Sequence, residues 1–306
     1  MRDLARRSRL RFHEEPEMNM VVATDFSTRS NRALRQAGLL AQTADAQLHL
    51  IHVVDEDQPA DMVRSEEREA KRVLSEQIAS MPELQGVHCS PLVATGYAFD
   101  GILRTAQSLA PELIVMGQHR RQFLIDMFVG TTIERVVRRG RYPVLMVNNE
   151  AQRHYERVLV PVDMSSASAN AVRVAMDAGL MREEAAAMIL HAFSPLGKSR
   201  MITAGAHPTT IDEYVRSESE RAIDELTEFL VSSDLQKENW SLRVEEGAPM
   251  QVINRVVSST HPDLLVMGTH NRSGLSRALI GSVTEEALRT LKVDILVVPL
   301  AIQQGG

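Results

Sequence analysis

Two loops in this chain carry residue types that could hold phosphate. In LIVMGQHRRQFLIDMFVGTT, residues 113–132, an apolar run ends in Gly117; His119, Arg120 and Arg121 follow, and Gly130 precedes Thr131 and Thr132. In LLVMGTHNRSGLSRALIGSV, residues 264–283, the same frame places Gly268, His270, Asn271, Arg272, Gly274, Gly281 and Ser282. Glycine lets backbone approach a ligand closely, and asparagine tolerates positive φ better than most residues. Exposed backbone N–H groups beside a helix N-terminus attract anions. Arg272 adds charge-assisted donors and Ser282 a hydroxyl. Ser282 and Glu285 also have capping-box spacing. On chemistry alone the second loop is therefore a phosphate cradle or a capped turn. In the first loop Arg120 stands where the second has Asn271, and Phe123 where it has Gly274. That loop is stiffer and bulkier. It either fills its pocket or clamps an anion from outside with His119, Arg120 and Arg121.

The loops recur because the chain is an internal repeat. PELIVMGQH (111–119) and PDLLVMGTH (262–270) match at an offset of 151, as do Gly96 and Gly247, Gly130 and Gly281, Glu134 and Glu285, and Arg138 and Arg289. VVATDFS (21–27) matches LVPVDMS (159–165) at an offset of 138, which aligns Asp25 with Asp163. The difference means about a dozen extra residues in the second copy, expected in the loop-like stretch 194–210. Short apolar, β-branched runs alternate with amphipathic segments in each copy. Such alternation predicts parallel sheets with right-handed crossovers and helices on both faces. The expected fold is α/β: two tandem doubly wound domains, each a five-stranded parallel sheet. The boundaries are a tail at 1–18, excluded from the fold as disordered, a first domain at 19–149 and a second at 155–302. Ligands of such sheets sit beyond the carboxyl ends of the strands. Asp25 and Asp163 fall there, as do both loops.

Composition narrows the function. The 306 residues carry a formal charge of −6, which argues against a general nucleic-acid binder. The single cysteine, Cys89, excludes an internal disulfide and a cysteine-based zinc cage and suits a reducing cytoplasm. No apolar run reaches the length of a membrane span. The final strands, PVLMV and DILVVP, would be sheet edges, and edges need a partner or cover.

The pattern LVPVDMS … ILHAF … LLVMGTHNRSGLSRALIGSVTEEALRTLKVDILVVP resembles the universal stress protein family, and both copies match along most of their length. ATP-binding members carry Gly-x2-Gly-x9-Gly-Ser/Thr after the fourth strand. Copy two has Asn271 at the second glycine and copy one has Arg120. The resemblance implies a stress-response regulator that binds ATP, with or without Mg²⁺, mainly through copy two. Asp163 would lie near adenine and ribose beside Pro161 and Val162, with Ala187 as an adenine-side wall. Gly268, Asn271, Arg272, Gly281, Ser282 and Val283 would hold phosphates, with Met267 and His270 flanking them. The weaker equivalents in copy one are Asp25, Gly117, His119, Arg120, Gly130 and Thr131. The resemblance also implies that the copies pack through their last strands as an intrachain pseudo-dimer. It leaves a homodimer and protein partners open.

Other residues favour plainer readings. His52 and His191, near the ends of the second strands, have no Asp/Ser arrangement beside them and read as packing and hydrogen-bonding groups. Cys89 reads as a small buried hydrophobe, and the methionines as core. Gly197-Lys198-Ser199 matches only the end of a P-loop, with Ala192 at the first glycine. No general base is positioned for efficient hydrolysis, so at most slow ATP turnover is expected and no catalytic residue is assigned. No metal site is assigned either. The competing function is a protein-interaction or dimerisation module of the same fold that binds no nucleotide.

Overall fold

The computed structural model describes residues 18–118, 131–150, 153–269 and 280–300. The first half runs β1 (Met18–Ala23), α1 (Thr28–Ala44), β2 (Ala46–Val54), α2 (Ala60–Ser80), β3 (Cys89–Thr95), α3 (Ala98–Leu109), β4 (Leu113–Gly117), α4 (Thr132–Arg139) and β5 (Val144–Val147). The second half repeats it as β6 (Arg157–Pro161), α5 (Ser166–Asp177), β7 (Ala186–Phe193), α6 (Lys198–Thr203), α7 (Pro208–Ser232), β8 (Trp240–Glu246), α8 (Pro249–Thr260), β9 (Leu264–Gly268), α9 (Ser282–Thr290) and β10 (Asp294–Val298). No described helix is long and apolar enough to cross a membrane.

Each half orders its five strands 3-2-1-4-5, all parallel, but the halves do not form separate sheets. The strands make one ten-stranded sheet in the order β3-β2-β1-β4-β5-β10-β9-β6-β7-β8. β5 and β10 join antiparallel, pairing Met146 with Ile295, Leu145 with Leu296 and Val144 with Val297. Leu145 and Leu296 are equivalent at the repeat offset, so a pseudo-two-fold axis runs through their pair. Each edge strand thereby covers the other.

Alternating side chains along the strands fill two cores, one on each face. Val22, Leu48, Leu145, Val160 and Leu296 pack with Leu34 of α1, Leu74 of α2, Val172 of α5 and Leu226 of α7. Val21, Ile114, Met146, Leu265 and Ile295 pack with Ile102 of α3, Val136 of α4, Val256 of α8 and Leu288 of α9. Both cores cross the β5–β10 seam. Burying each such leucine or isoleucine contributes about 1.5–3 kcal/mol.

Three details differ from expectation. Met18, assigned to the tail, opens β1, pairs with Ala46 and is buried; residues 1–17 lie outside the described residues. The extra residues of copy two are not all loop. They form α6, tied down by Lys198 Nζ on the Glu246 carboxylate at 2.6 and 2.8 Å and by the Gly197 N–H donating to Tyr214 Oη at 3.0 Å. That ion pair also explains Lys198 without a P-loop. Third, the connection between the halves is built into the fold. Asp294, 2% exposed, accepts hydrogen bonds from the Asn148 and Asn149 N–H groups, the Asn149 side chain and Tyr155 Oη. The repeat-equivalent position in copy one is Pro143, so this anchor exists once.

Asp294→Ala would leave the buried Tyr155 hydroxyl and the half-buried Asn148 N–H without their acceptor and should lower unfolding stability by about 2–4 kcal/mol, read by urea denaturation. Asp294→Asn keeps one acceptor oxygen, and Tyr155 Oη can rotate to accept from the new amide, so less than half that loss is expected. Burial pushes the Asp294 carboxyl above its ordinary value, against the opposing pull of its hydrogen bonds. A raised native value means the folded state holds its proton longer than the unfolded state. This group's contribution is therefore greatest below the ordinary carboxylate value and declines as pH rises through the raised one. Asp294→Asn should remove that slope.

Candidate functional site

Parallel register brings the C-terminal ends of β1, β2 and β4 together in copy one, and those of β6, β7 and β9 in copy two. At each place the chain turns sharply after the strand-one aspartate. Phe26 (φ 61°) and Met164 (φ 59°) both adopt the left-handed region, which costs a non-glycine residue energy. The turn is held by the aspartate. Asp25 Oδ1 accepts from the Ser27 N–H at 3.0 Å, and Asp163 Oδ1 accepts from the Ser165 N–H at 3.2 Å. Asp163 Oδ1 also accepts the Ser165 and Ser168 hydroxyls, each at 2.6 Å. Ser27 and Ser165 then cap α1 and α5 by accepting from the Ser30 and Ser168 N–H groups. Burial raises the Asp25 carboxyl, but its hydrogen bonds from Ser27 and Ser30 outweigh that and hold it below its ordinary value.

His52 Nδ1 lies 2.9 Å from the Thr24 carbonyl, and His191 Nδ1 lies 2.9 Å from the Val162 carbonyl. A carbonyl can only accept, so each Nδ1 carries the proton and each histidine pins the strand-one turn. The reading of these histidines as hydrogen-bonding groups agrees with this geometry. Phe26 stacks on His52 at 4.2 Å between centroids.

Gly117 and Gly268 end β4 and β9 for a reason internal to the fold. A Cβ on Gly117 would stand 2.5 Å from the Arg29 carbonyl oxygen, and one on Gly268 would stand 2.6 Å from that of Ala167. The helix that follows the aspartate turn occupies the space a side chain would need. Gly281 is different. It has φ −63°, which any residue adopts, and an added Cβ meets nothing within 4 Å among the described residues.

The helices that follow the two loops begin differently. Thr131 caps α4 in a complete capping box: its side chain accepts from the Glu134 N–H at 3.2 Å, and Glu134 accepts from the Thr131 N–H at 3.1 Å. The expected Ser282–Glu285 box does not form. α9 starts one residue earlier relative to the repeat, with Gly281 at the cap position and no side-chain cap, and Ser282 is the exposed first helical residue. Glu285 instead pairs with Arg289 and Arg138. The box engages the Thr131 and Glu134 N–H groups of α4, and among the described residues nothing similar caps α9.

Most of the expected copy-two residues converge here. Pro161 ends β6, Asp163 follows it, Gly268 ends β9, and the Thr284 hydroxyl donates to the Gly268 carbonyl at 3.3 Å, which ties the start of α9 to that strand. Val162 and Met267 are buried, and half-buried Val283 packs against the core that holds Met267. Ala187 does not belong. It pairs with Val158 near the start of β7, three residues before Leu190, which pairs with Pro161. At about 3.3 Å per residue it lies roughly 10 Å down the strand, in the core. His270, Asn271, Arg272, His119, Arg120 and Gly130 lie outside the described residues. In copy one, Asp25, His52, Gly117 and Thr132 line a cavity of about 110 Å³.

Arg29, Ser27 and Ser30 line that cavity too and were not singled out from the sequence. A signal existed: DFSTRS and DMSSAS repeat an aspartate followed by serines two and five residues on. Cys89 is half-buried, and burial pushes its thiol up to about 11, which suits an inert structural cysteine.

The model of the universal stress protein family matches residues 18–148 and again 154–299. A universal stress protein of Mycobacterium tuberculosis is 23% identical over 299 residues, covering 91% of this chain and 96% of the relative. Universal stress protein E of Escherichia coli is 24% identical over 304 residues, covering 92% and 93%. Among solved structures, a universal stress protein from Archaeoglobus fulgidus superposes with a TM-score of 0.65 at 17% identity, covering 92% of this chain and 98% of that one. That last likeness concerns the fold alone.

Gly268→Ala should cost about 1–3 kcal/mol of stability, because the new methyl must push α5 away from β9. Gly281→Ala should change stability by less than about 1 kcal/mol, since nothing in the described fold opposes it. Thermal unfolding of the two variants side by side tests whether these glycines serve different ends.

Proposed function

The chain belongs to the universal stress protein family, and on that premise we propose that it is a stress-response regulatory protein that binds an adenine nucleotide, ATP by preference, mainly through its second half. The observation that carries this reading is the start of α9. Among the described residues no side chain caps it, and a Cβ on Gly281 would meet nothing within 4 Å. An anion there would meet backbone donors at the positive end of the helix dipole. In the first half the capping box already engages the Thr131 and Glu134 N–H groups.

Asp163, whose Oδ1 is held by the Ser165 and Ser168 hydroxyls, is the acceptor for ribose or adenine donors. Pro161 and Val283 flank it. Gly281 and Ser282 face the phosphates, with Asn271 and Arg272 as further donors from the loop. A magnesium ion would arrive with the nucleotide's phosphates. A first domain of 18–149, with Met18 moved out of the tail, a second of 155–302, a cytoplasmic location and a homodimer belong to the same proposal.

The competing reading is a protein-interaction module. It draws on α6, which buries no residue, and on the exposed apolar side chains there and just before it, Ile202 at 58% and Leu196 at 88%.

Calorimetric titration of the purified chain with ATP and ADP in Mg²⁺ decides between them. One site per chain is expected, with Gly281→Val weakening ATP at least tenfold while unfolding normally. Two equal sites would show that the cavity of copy one also serves. No heat from a folded chain would favour the interaction module.

A further inference from the structure

Resting on the second half as the nucleotide site, we propose that Arg138 of the first half is a positioning residue for that site, through Glu285. Glu285 lies in the first turn of α9, the helix whose N-terminus would receive the phosphates. A carboxylate so placed repels a polyphosphate. Its neutralisation is therefore a condition of binding, and the structure shows where the positive charge comes from.

Four residues form a network across the β5–β10 seam. Arg289 Nε stands 2.7 Å from Glu134 Oε1 of the other half, and Arg289 also reaches Glu285 at 2.8 Å. Glu134 is 3% exposed and holds the α4 capping box, so it needs that cation. Arg289 is thus divided between two carboxylates. The second cation is Arg138, 3.5 Å from Glu285. Glu134 and Glu285 are repeat equivalents, as are Arg138 and Arg289, so the arrangement follows the pseudo-two-fold axis. Among the described residues the cluster holds two acids and two bases; removing Arg138 takes one positive charge from beside the start of α9. The halves differ in outcome because Glu134 is engaged in its own cap, whereas no described side chain caps α9. The first half thereby sets the charge that the second half's ligand meets.

The test uses the full chain, with ATP titrated by calorimetry at low and physiological salt. Arg138→Met should weaken ATP about three- to tenfold, the loss shrinking as salt rises, as expected for one charge at close range. Glu285→Gln alone should tighten ATP, and Arg138→Met with Glu285→Gln should return the affinity to within about twofold of the native chain. A merely structural Arg138 would not be rescued by removing Glu285. Unchanged affinity in Arg138→Met, or no rescue in the double variant, overturns the proposal while leaving the nucleotide reading intact. If Arg138→Met does not fold, Glu285→Gln decides alone: no tightening overturns the proposal. A native chain that binds no ATP overturns both.

Discussion

The antiparallel pairing of β5 with β10 is the contact on which the rest of this molecule depends. Each half is a parallel sheet that ends in a short strand, apolar throughout in β5 and apolar after Asp294 in β10. Exposed, such strands would present unpaired backbone groups and two apolar faces to water. Pairing them satisfies the ladder and lets both cores run through the seam. Leu145 and Leu296 sit at its centre and are fully buried. The seam also sets which helices meet. α4 and α9, each starting at a loop that could hold phosphate, come together with their acidic first turns beside the other's basic last turn.

A symmetric frame then carries asymmetric detail. The aspartate turn, the left-handed residue after it and the histidine that pins it occur in both halves with nearly the same distances. This is the part of the site that the backbone needs in order to leave strand one and enter a helix. The helix starts are where the halves part. In α4 the Thr131 and Glu134 N–H groups are engaged by each other's side chains, and in α9 no described side chain does the same. The second difference is Asp294, which binds the connection between the halves and has no counterpart in the first. The chain has thus kept the repeat where the fold requires it and departed from it at the loops and at the linker.

The alternation of apolar runs and amphipathic segments was legible residue by residue. The apolar runs that end at Gly117 and Gly268 are β4 and β9. So was the convergence of Asp163, Gly268 and Gly281, because strand ends in a parallel sheet lie side by side. Ala187 misled because a one-dimensional reading cannot say how far along a strand a residue sits relative to its neighbour. The capping box of copy two misled for a related reason. Ser282 and Glu285 have the right spacing, but Glu285 is drawn to Arg138, which lies 147 residues away in the chain.

By itself, then, the sequence determined the repeat, the α/β class, the strand ends at which ligands gather and the glycine-bearing loops, because each of these follows from short-range patterns in one copy set against the other. Only the tertiary structure decided that the two sheets are one, that Gly117 and Gly268 are demanded by a neighbouring helix, that Gly281 is not, and that Glu134 and Glu285 are balanced by arginines from opposite halves. Those outcomes depend on which groups come within a few ångströms across the seam. Residues far apart in the chain meet there through the pairing of two edge strands.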